Sequence, residues 1–536
     1  MPSLLLLSIG AIAATYAFLR ALVLLRHDPR EPTTVVGSIP FVSPLIGMLV
    51  GGGALLCTHE VCFSLAFTRA RRSGPLTISV ANRDKYRLPI YTLRVPGPPI
   101  YVVNSLQTIQ RIDRHISTVA FSPIQAQACE NAFAVSKTGM AKVADDKRLS
   151  NDGYLRSFPR STAAGTSPGP GLNGLSRVAV SDFAASMDRL ASSGRARVKL
   201  FDWVRHEIFA ATTDAVYGAH NPFRQAENER AWFQYESGIL VLLMGLFPSV
   251  IARQSLRARD TLVSVLSRYF QSNQFLEGSL FVQLRQKHDV AFGLDMDDSV
   301  HIEIGQVAAG VVNTAPSAFW MVWQVFSDAT VLADCQKEVA QLVQTGPDGV
   351  CSIDLSQVRT HCPLLVSTWQ EVLRFHGISV SARIVQEDTS VDDQYLLKKG
   401  GVVLMPNAVI HSDESLWGPT AREFNHKRFL NTEKGRSHRH PAAAFRGFGG
   451  GHVLCPGRHF ASTEVLALVA LLLARFNVLP IGGEWTEPEK HNAMDRAFPL
   501  LKKDVEVEMI SKSDQKWHVS FSDDASGINI VAEDLK

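Results

Sequence analysis

The chain has 536 residues, of which 46% are hydrophobic, with 54 basic and 51 acidic side chains. So much apolar material excludes a disordered polypeptide, and a net charge of only +3 gives no reason to expect a nucleic-acid partner. Seven cysteines, an odd and small number for this length, exclude a disulfide-stapled miniprotein. The length is compatible with several domains or with one large enzyme domain.

The first predicted element is an apolar segment that is typical of a membrane anchor. Residues 3–25 carry a single charge, Arg20, and as a helix they would span roughly 34 Å, enough for a bilayer core of about 30 Å. The positive charges Arg20, Arg26 and Arg30 follow the apolar run, whereas a cleaved signal peptide would place them before it. The positive-inside rule then keeps the rest of the chain cytosolic. We therefore predict a transmembrane helix within residues 1–27.

The remaining chain divides by composition. Prolines and a run of three glycines make residues 28–56 a hinge, residues 57–510 form the candidate catalytic domain, and residues 511–536 form a polar, peripheral tail. Periodicity predicts a β-hairpin at 89–103, a loop-rich stretch at 143–174 and short strands near 382–386, 402–405 and 503–509. Long helices are predicted at 60–72, 176–193, 203–218, 228–246, 255–272, 299–326, 329–344, 357–375 and 457–475. The predicted class is mainly α with small β-sheets.

The strongest chemical signal is a glycine-rich stretch that ends in a cysteine, FRGFGGGHVLCPGR at 445–458. Glycines at this density let a backbone approach another group closely. Cys455 is followed by Pro456 and a long apolar helix, and a helix N-terminus stabilises a thiolate. A thiolate on a flat loop is what an axial haem ligand requires, whereas a buried structural cysteine is the alternative.

The pattern F-x-x-G-x-x-x-C-x-G, at Phe448, Gly451, Cys455 and Gly457, resembles the haem-binding loop of the cytochrome P-450 superfamily. The resemblance covers nearly the whole chain and implies the cytochrome P-450 fold, preceded here by the N-terminal transmembrane helix. It also implies heme b (iron protoporphyrin IX) as cofactor, with its iron bound by the Cys455 thiolate. Phe448, Gly449 and Gly451 are then expected to belong to the haem site.

Two further stretches are similar to the family in the expected order. Glu371-Val-Leu-Arg374 places an acid and a base on one helix face, 84 residues before the cysteine, and the segment that ends in Arg428-Phe429 looks like the family's Arg-Phe motif. The resemblance implies that Glu371, Arg374 and Arg428 form a buried ion-paired triad. Its implied role is to hold the core and the haem loop.

A third stretch, Ala309-Gly310-Val-Val-Asn313-Thr314-Ala-Pro316, is similar to the family's oxygen-activating helix. The resemblance implies that Thr314 supplies a hydroxyl near the iron-bound oxygen, but a threonine can also bond back to the carbonyl four residues earlier. Pro316 removes one helix hydrogen bond and crowds the carbonyl of Val312, so we expect a bend at Thr314.

Two departures from the family pattern matter. Asn313 stands where the family usually has an acid, and an amide does not titrate. Val453 stands where the family usually has Arg or His, which removes a donor to a haem propionate, and His452 or Arg383 is the predicted replacement. The stretch 313–320 is similar to the animal sterol 7α- and 12α-hydroxylases and to prostacyclin synthase, a branch that contains monooxygenases and a non-redox isomerase.

The resemblance implies a monooxygenase on the endoplasmic reticulum membrane that takes O2 and electrons from NADPH-cytochrome P-450 reductase. The expected substrate is a lipophilic small molecule, terpenoid, steroid-like or polyketide, in fungal secondary metabolite biosynthesis. The alternative is a haem-thiolate isomerase or dehydratase that needs no external electrons, and a haem-binding carrier is a third possibility. Arg446, Arg458, His459 and the basic residues at 438–440 are candidates for reductase docking.

Overall fold

The computed structural model describes residues 14–22, 28–35, 88–144, 152–245, 247–430, 441–491 and 495–523, together with residues 527, 528, 530, 531 and 534. The α-helices after residue 100 are α1 Leu106–Ile112, α2 Ser122–Asn131, α3 Lys137–Val143, α4 Tyr154–Thr166, α5 Pro170–Ser192, α6 Leu200–Tyr217, α7 Ala226–Glu236, α8 Ile239–Met244, α9 Pro248–Ile251, α10 Arg253–Gln271, α11 Leu280–Ala291, α12 Met296–Val311, α13 Thr314–Ser327, α14 Ala329–Ala340, α15 Val358–His361, α16 Pro363–Phe375, α17 Asn407–His411, α18 Glu414–Trp417 and α19 Arg458–Arg475. The predicted mainly helical class is confirmed.

The strands are short and lie in small sheets. They are β1 Thr34–Val35, β2 Ile90–Leu93, β3 Ile100–Val103, β4 Val119–Ala120, β5 Arg195–Lys199, β6 Gln344–Thr345, β7 Cys351–Asp354, β8 Val380–Val385, β9 Thr389–Val391, β10 Tyr395–Leu397, β11 Val402–Pro406, β12 Phe476–Pro480, β13 Lys490–His491, β14 Leu500–Leu501, β15 Glu506–Ser511 and β16 Trp517–Ser520. The largest sheet has the order β1-β2-β3-β11-β8-β4, and two three-stranded sheets have the orders β12-β15-β5 and β16-β7-β6. The predicted hairpin at 89–103 is confirmed as the antiparallel pair β2–β3.

The predicted anchor at 1–27 lies largely outside the described residues. Residues 14–22 are helical, and no helix in the described part of the chain combines the length and apolar content needed to cross a membrane. Of the predicted hinge at 28–56, residues 28–35 are described, whereas the predicted helix at 60–72 falls outside the described residues.

Helix starts follow from side chains that accept backbone hydrogen bonds. Ser105, Ser136, Ser279, Asp295 and Asp328 each cap a helix in this way, because their oxygens accept from amides of the first turn that have no partner inside the helix. These caps fix where α1, α3, α11, α12 and α14 begin.

The hydrophobic core runs along α13, α16 and α19. Trp320 and Trp369 are fully buried, and each such aromatic contributes roughly 1.5–3 kcal/mol relative to its exposed state. The indole N–H of Trp369 donates to the hydroxyl of Ser462 across 3.0 Å, which ties α16 to α19. Since α19 begins just after Cys455, this packing positions the cysteine loop on the core.

The loop-rich prediction for 143–174 is wrong for α4, a helix of 13 residues that contains Pro159. Proline, glycine and hydroxyl residues made this segment resemble a loop. The helix is stabilised by tertiary packing, because α4 lies so close to α11 that a Cβ at Gly165 would stand 2.7 Å from the Cα of Phe281. Close packing of this kind overrides weak local propensity.

The peripheral tail that we expected after residue 511 is in fact packed on the domain. Strand β16 pairs in parallel with β7, with Trp517 opposite Cys351. Beyond it Ile530 is buried, and its carbonyl accepts from the Gln370 side chain across 2.8 Å. Backbone pairing and the buried side chains of Ile528, Ile530 and Val531 hold this segment, so its average polarity did not reveal its packing.

Candidate functional site

The glycine loop at 445–458 adopts a backbone that other residues would strain. Gly449 has φ +84°, and a Cβ there would stand 2.8 Å from the carbonyl oxygen of Val453. Gly451 has φ +60°, and a Cβ there would stand 3.1 Å from the carboxyl carbon of Asp113. Both positive φ values favour glycine, and both sites leave little room for a side chain. The glycines predicted for the haem site therefore shape a tight, thin loop.

Cys455 lies near the end of this loop, three residues before α19 begins at Arg458. Its amide donates to the carbonyl of Phe448 across 3.0 Å, and the Phe448 ring packs edge-on against Trp369 at 6.3 Å between centroids. Burial raises the pKa of the Cys455 thiol, whereas the backbone amides of Gly457 and Arg458 and the Arg458 charge act in the opposite direction. The loop thus supplies backbone donors and one positive charge that favour a thiolate, against the effect of burial.

The other described cysteines have different surroundings. Cys129, Cys335 and Cys362 are buried, and burial raises the pKa of each thiol to about 12. Cys351 is buried in β7 and donates to the Gln515 side chain. Among the five free cysteines in the described part of the chain, Cys455 alone is partly exposed. Of these five cysteines, it is therefore the one that a ligand can approach.

The two predicted replacements for the basic residue at 453 lie in different environments. Arg383, on β8, is buried, donates to the carbonyl of Ala382 across 2.7 Å and stacks its guanidinium over Phe121. Burial lowers the pKa of Arg383 to about 10, although Asp113 opposes this effect. His452 is exposed. Because Arg383 is the buried one of the two, it is the residue whose charge a bound anion would stabilise more.

A second buried arginine, Arg446, lies at the same place. Its Nη1 is 3.4 Å from the Asp113 carboxylate, and its Nε and Nη2 have no hydrogen-bond partner among the described residues. Arg446 contacts the Asp113 carboxylate, whereas Arg383 interacts with both groups only through its charge. Unused donors and an uncompensated positive charge fit the carboxylates of a haem, so the residues present suit the implied cofactor.

The expected docking role for Arg446 and His459 is wrong, because both side chains are buried. Arg458 is bonded to Asp534 of the C-terminal segment across 2.7 Å and is mostly covered. The basic residues at 438–440 lie outside the described residues. The sequence held one signal for the burial of Arg446, which we missed: its position between Phe445 and a run of glycines, in the loop that approaches the core.

The predicted bend in the oxygen-activating stretch is a break between α12 and α13 at Asn313. The Thr314 hydroxyl donates back to the carbonyl of Gly310 across 2.7 Å, which is the alternative that the sequence left open. The side-chain oxygen of Asn313 accepts from the amide of Ala497 across 2.9 Å. Pro316 is buried in the first turn of α13, where it fits because its missing N–H is not needed.

The segment 495–501 is held in place from several sides. Arg496 is buried and donates to Glu236 of α7 across 2.5 Å, and the indole N–H of Trp320 donates to the carbonyl of Pro499 across 2.8 Å. The hydrogen bond to Asn313 belongs to the same network. Asn313 therefore positions this segment against the helix break, a function that an amide performs without titrating.

Glu371, Arg374 and Arg428 lie together, as the resemblance implies. Arg374 makes two hydrogen bonds of 2.7 Å to Glu371, and Arg428 reaches the same carboxylate at 3.1 Å. Arg374 also donates to the carbonyl of His411, whose ring accepts from the amide of Arg446 across 2.9 Å. The triad is thereby connected to the start of the glycine loop through a single residue.

Comparison with known proteins agrees with this geometry. Residues 253–509 match the family described as Cytochrome P450. The "Cytochrome P450 monooxygenase nodJ" of Hypoxylon pulicicidum is 32% identical over 523 residues, which cover 95% of this chain and 94% of that protein. A "Cytochrome P450 monooxygenase" of Gibberella zeae is 27% identical over 414 residues, or 75% of this chain and 77% of that protein.

An animal relative supports the branch resemblance at lower identity. The "Cholesterol 7-alpha-monooxygenase" of Cricetulus griseus is 24% identical over 266 residues, which are 47% of this chain and 52% of that protein. The two fungal relatives extend over three quarters or more of both partners, so the similarity is not confined to one motif. The chain therefore belongs to the cytochrome P450 family of haem-thiolate monooxygenases.

Proposed function

We propose that this chain is a monooxygenase that hydroxylates or otherwise oxidises a lipophilic small molecule of terpenoid, steroid-like or polyketide type, in fungal secondary metabolism. The observation that carries the proposal is the partly exposed Cys455 at the end of the glycine loop, in a chain similar to a fungal P450 monooxygenase over 95% of its length. The substrate class rests on an expected apolar pocket beside the helix break, where Val307, Val311 and Phe498 belong to the hydrophobic core.

The proposed cofactor is heme b, whose iron the Cys455 thiolate would bind. Phe448 and the backbones of Gly449 and Gly451 would hold it, and Arg383 would donate to a propionate, with His452 as the second candidate. When bound, this group supplies O2 activation, by which one oxygen atom enters the substrate and the other leaves as water, with two electrons from NADPH.

Thr314 is the proposed proton-handling residue. Its hydroxyl donates to the carbonyl of Gly310, and its lone pairs remain available to accept from a water or to bind an oxygen ligand. To donate its proton elsewhere, the hydroxyl must first leave that carbonyl. Rotation about χ1 breaks this bond, at a cost of about 0.5–1.5 kcal/mol for one neutral hydrogen bond.

The isomerase or dehydratase alternative rests on Asn313 and on the similarity of 313–320 to a branch that contains a non-redox isomerase. Because the Asn313 oxygen accepts from the amide of Ala497, this asparagine has a positioning role that any reaction at the site would use. Its presence therefore does not favour a reaction without external electrons, and the monooxygenase stands as the leading proposal.

The proposed location is the endoplasmic reticulum membrane, with residues 1–27 as the single anchor, 28–56 as the hinge, 57–510 as the cytosolic catalytic domain and 511–536 as the C-terminal tail. The proposed electron donor is NADPH-cytochrome P-450 reductase. The match to a dinucleotide-binding pattern, G-x-G-x-x-G at 169–174, follows helix α4 instead of the strand that a dinucleotide site would require. Fractionation of the full chain in a host cell tests the anchor: alkaline carbonate should leave it in the membrane pellet, and release would contradict the proposal.

The experiment that tests the reaction uses membranes that contain the full chain, with and without the reductase. Terpenoid, steroid and polyketide panels are first screened for a substrate-induced shift of the haem absorption. A responding compound is then incubated with isotopically labelled O2. We expect a product that carries one labelled oxygen atom and forms only when NADPH and reductase are both present. Turnover without either would replace the monooxygenase by the isomerase or dehydratase.

A further inference from the structure

Arg446 is a buried cation whose donors are largely unused. The residue is 2% exposed, its one ionic contact is the 3.4 Å approach of Nη1 to Asp113, and Nε and Nη2 meet no acceptor among the described residues. A buried guanidinium in this condition is unstable relative to one in water. Arginine cannot escape the penalty by losing its proton, because it stays charged at any pH that the fold tolerates.

The buried group next to Arg446 is a second cation, Arg383, and not a second anion. Arg383 is also buried, and its charge interacts with both Arg446 and Asp113. Among the described residues no carboxylate forms an ion pair with Arg383, so the two guanidinium groups face the single carboxylate of Asp113 and leave an excess of one positive charge. A carboxylate ligand would remove the excess and occupy the unused donors at the same time.

The cluster lies directly beneath the glycine loop. A Cβ at Gly450 would stand 2.9 Å from Nη1 of Arg446, and a Cβ at Gly451 would stand 3.1 Å from the carboxyl carbon of Asp113. The amide of Arg446 is held by the ring of His411 across 2.9 Å, which fixes where its side chain starts. The cations are thus presented at the loop that leads to Cys455.

We propose that Arg446 anchors a propionate of the haem and replaces the basic residue that the family usually carries two positions before the cysteine, where this chain has Val453. Arg383 serves the same group of carboxylates, and Asp113 orients Arg446. The inference rests on the proposed function only in requiring haem at Cys455. It makes Arg446 a cofactor-positioning residue that neither the family motif nor the sequence pattern assigns.

The test measures how fast haem leaves the protein, by transfer to an excess of apomyoglobin. Arg446→Leu should release haem about tenfold to hundredfold faster than the unaltered chain, which is the range for a hydrogen bond to a charged group. Arg475→Leu is the matched control, because Arg475 is also buried and ion-paired but lies at the far end of α19, about 26 Å along the helix from its first residue, Arg458. It should leave the release rate unchanged.

A second arm separates propionate binding from a merely structural role. Reconstitution with haem dimethyl ester, whose propionates are uncharged, should give equal release rates for the unaltered chain and Arg446→Leu. Adding Val453→Arg to Arg446→Leu should restore slow release of ordinary haem. If Arg446→Leu accelerates release of the ester as much as that of haem, or has no effect on either, the proposal is overturned. If the unaltered chain does not bind haem through a thiolate, the proposed function is overturned as well. The absorption spectrum of the haem-loaded protein detects that outcome independently of the release rates.

Discussion

Two buried arginine clusters lie on either side of His411, and they differ in how their donors are used. In the triad, Arg374 donates to both oxygens of Glu371 and to three backbone carbonyls, and Arg428 uses each of its nitrogens. In the second cluster, Arg446 has one long contact to Asp113 and two nitrogens without a partner in the described chain.

The difference separates a structural cluster from a binding cluster. We call Glu371, Arg374 and Arg428 the closed cluster, because its donors are all hydrogen-bonded and none is available to a ligand. We call Arg383, Arg446 and Asp113 the open cluster, because its unused donors and excess positive charge cost free energy until an anion binds. The Arg374 side chain donates to the carbonyl of His411, and the backbone amide of Arg446 donates to the His411 ring. The closed cluster therefore fixes the position of the open cluster.

Glu464 on α19 illustrates a third arrangement. It is buried with a hydrogen bond from the Thr212 hydroxyl across 2.7 Å, and burial raises its pKa to about 8. A carboxylic acid can avoid the cost of a buried charge by keeping its proton. An arginine cannot avoid this cost in the same way, because it keeps its charge. The open cluster therefore indicates a bound anion, whereas Glu464 does not.

The largest expected effect comes from breaking the closed cluster. Glu371→Gln removes the charge that both Arg374 and Arg428 share, and the loss of one partner of a buried ion pair costs about 3–5 kcal/mol. We expect a corresponding fall in the free energy of unfolding, measured in urea on the haem-loaded protein.

Glu227→Gln is the matched control for this change. Glu227 also pairs with an arginine three residues away, Arg230, but both side chains are more than 70% exposed. Its loss should change the free energy of unfolding by less than about 0.5 kcal/mol. Equal effects of the two substitutions would show that the triad is not a closed structural cluster.

A smaller effect, with a distinctive pH dependence, is expected for Glu464→Gln. The folded chain keeps a proton on Glu464 up to about pH 8, whereas the unfolded chain loses it near pH 4–5. Between these values the unfolded state binds fewer protons, so the free energy of unfolding of the unaltered protein falls as pH rises. From pH 6 to pH 8 this fall should be about 2 kcal/mol larger than in Glu464→Gln.

Urea unfolding at pH 6, 7 and 8 measures this difference, with Glu227→Gln as the variant that should follow the unaltered protein. Parallel curves for Glu464→Gln and the unaltered chain would mean that Glu464 is already ionised in the fold. Glu464 would then be a buried charge like Arg446, and a buried charge alone would no longer indicate a bound ligand.

Much of this arrangement could be predicted from the sequence, because it rests on local spacing. Glu371 and Arg374 are three residues apart and therefore lie on one helix face. The glycine loop before Cys455 contains positive φ angles that would strain other residues. The helix break at Asn313 follows from Pro316, three residues later.

What the sequence could not supply depends on contacts across long separations. The inward direction of Arg446 is set by Asp113 and His411, which lie far away in the chain. The α4 helix needs the close approach of Phe281 at Gly165. The partner of Asn313 is an amide 184 positions later, at Ala497, so no local pattern could reveal its positioning role.

The central claim is that Cys455 carries the haem iron at the edge of the open cluster. The direct measurement is the carbon monoxide difference spectrum of the reduced protein, for the unaltered chain, Cys455→Ala and Cys351→Ala. We predict a band at about 450 nm, the family's implied thiolate signature, that is lost in Cys455→Ala and kept in Cys351→Ala. A band that survives in Cys455→Ala would place the ligand elsewhere and contradict the account.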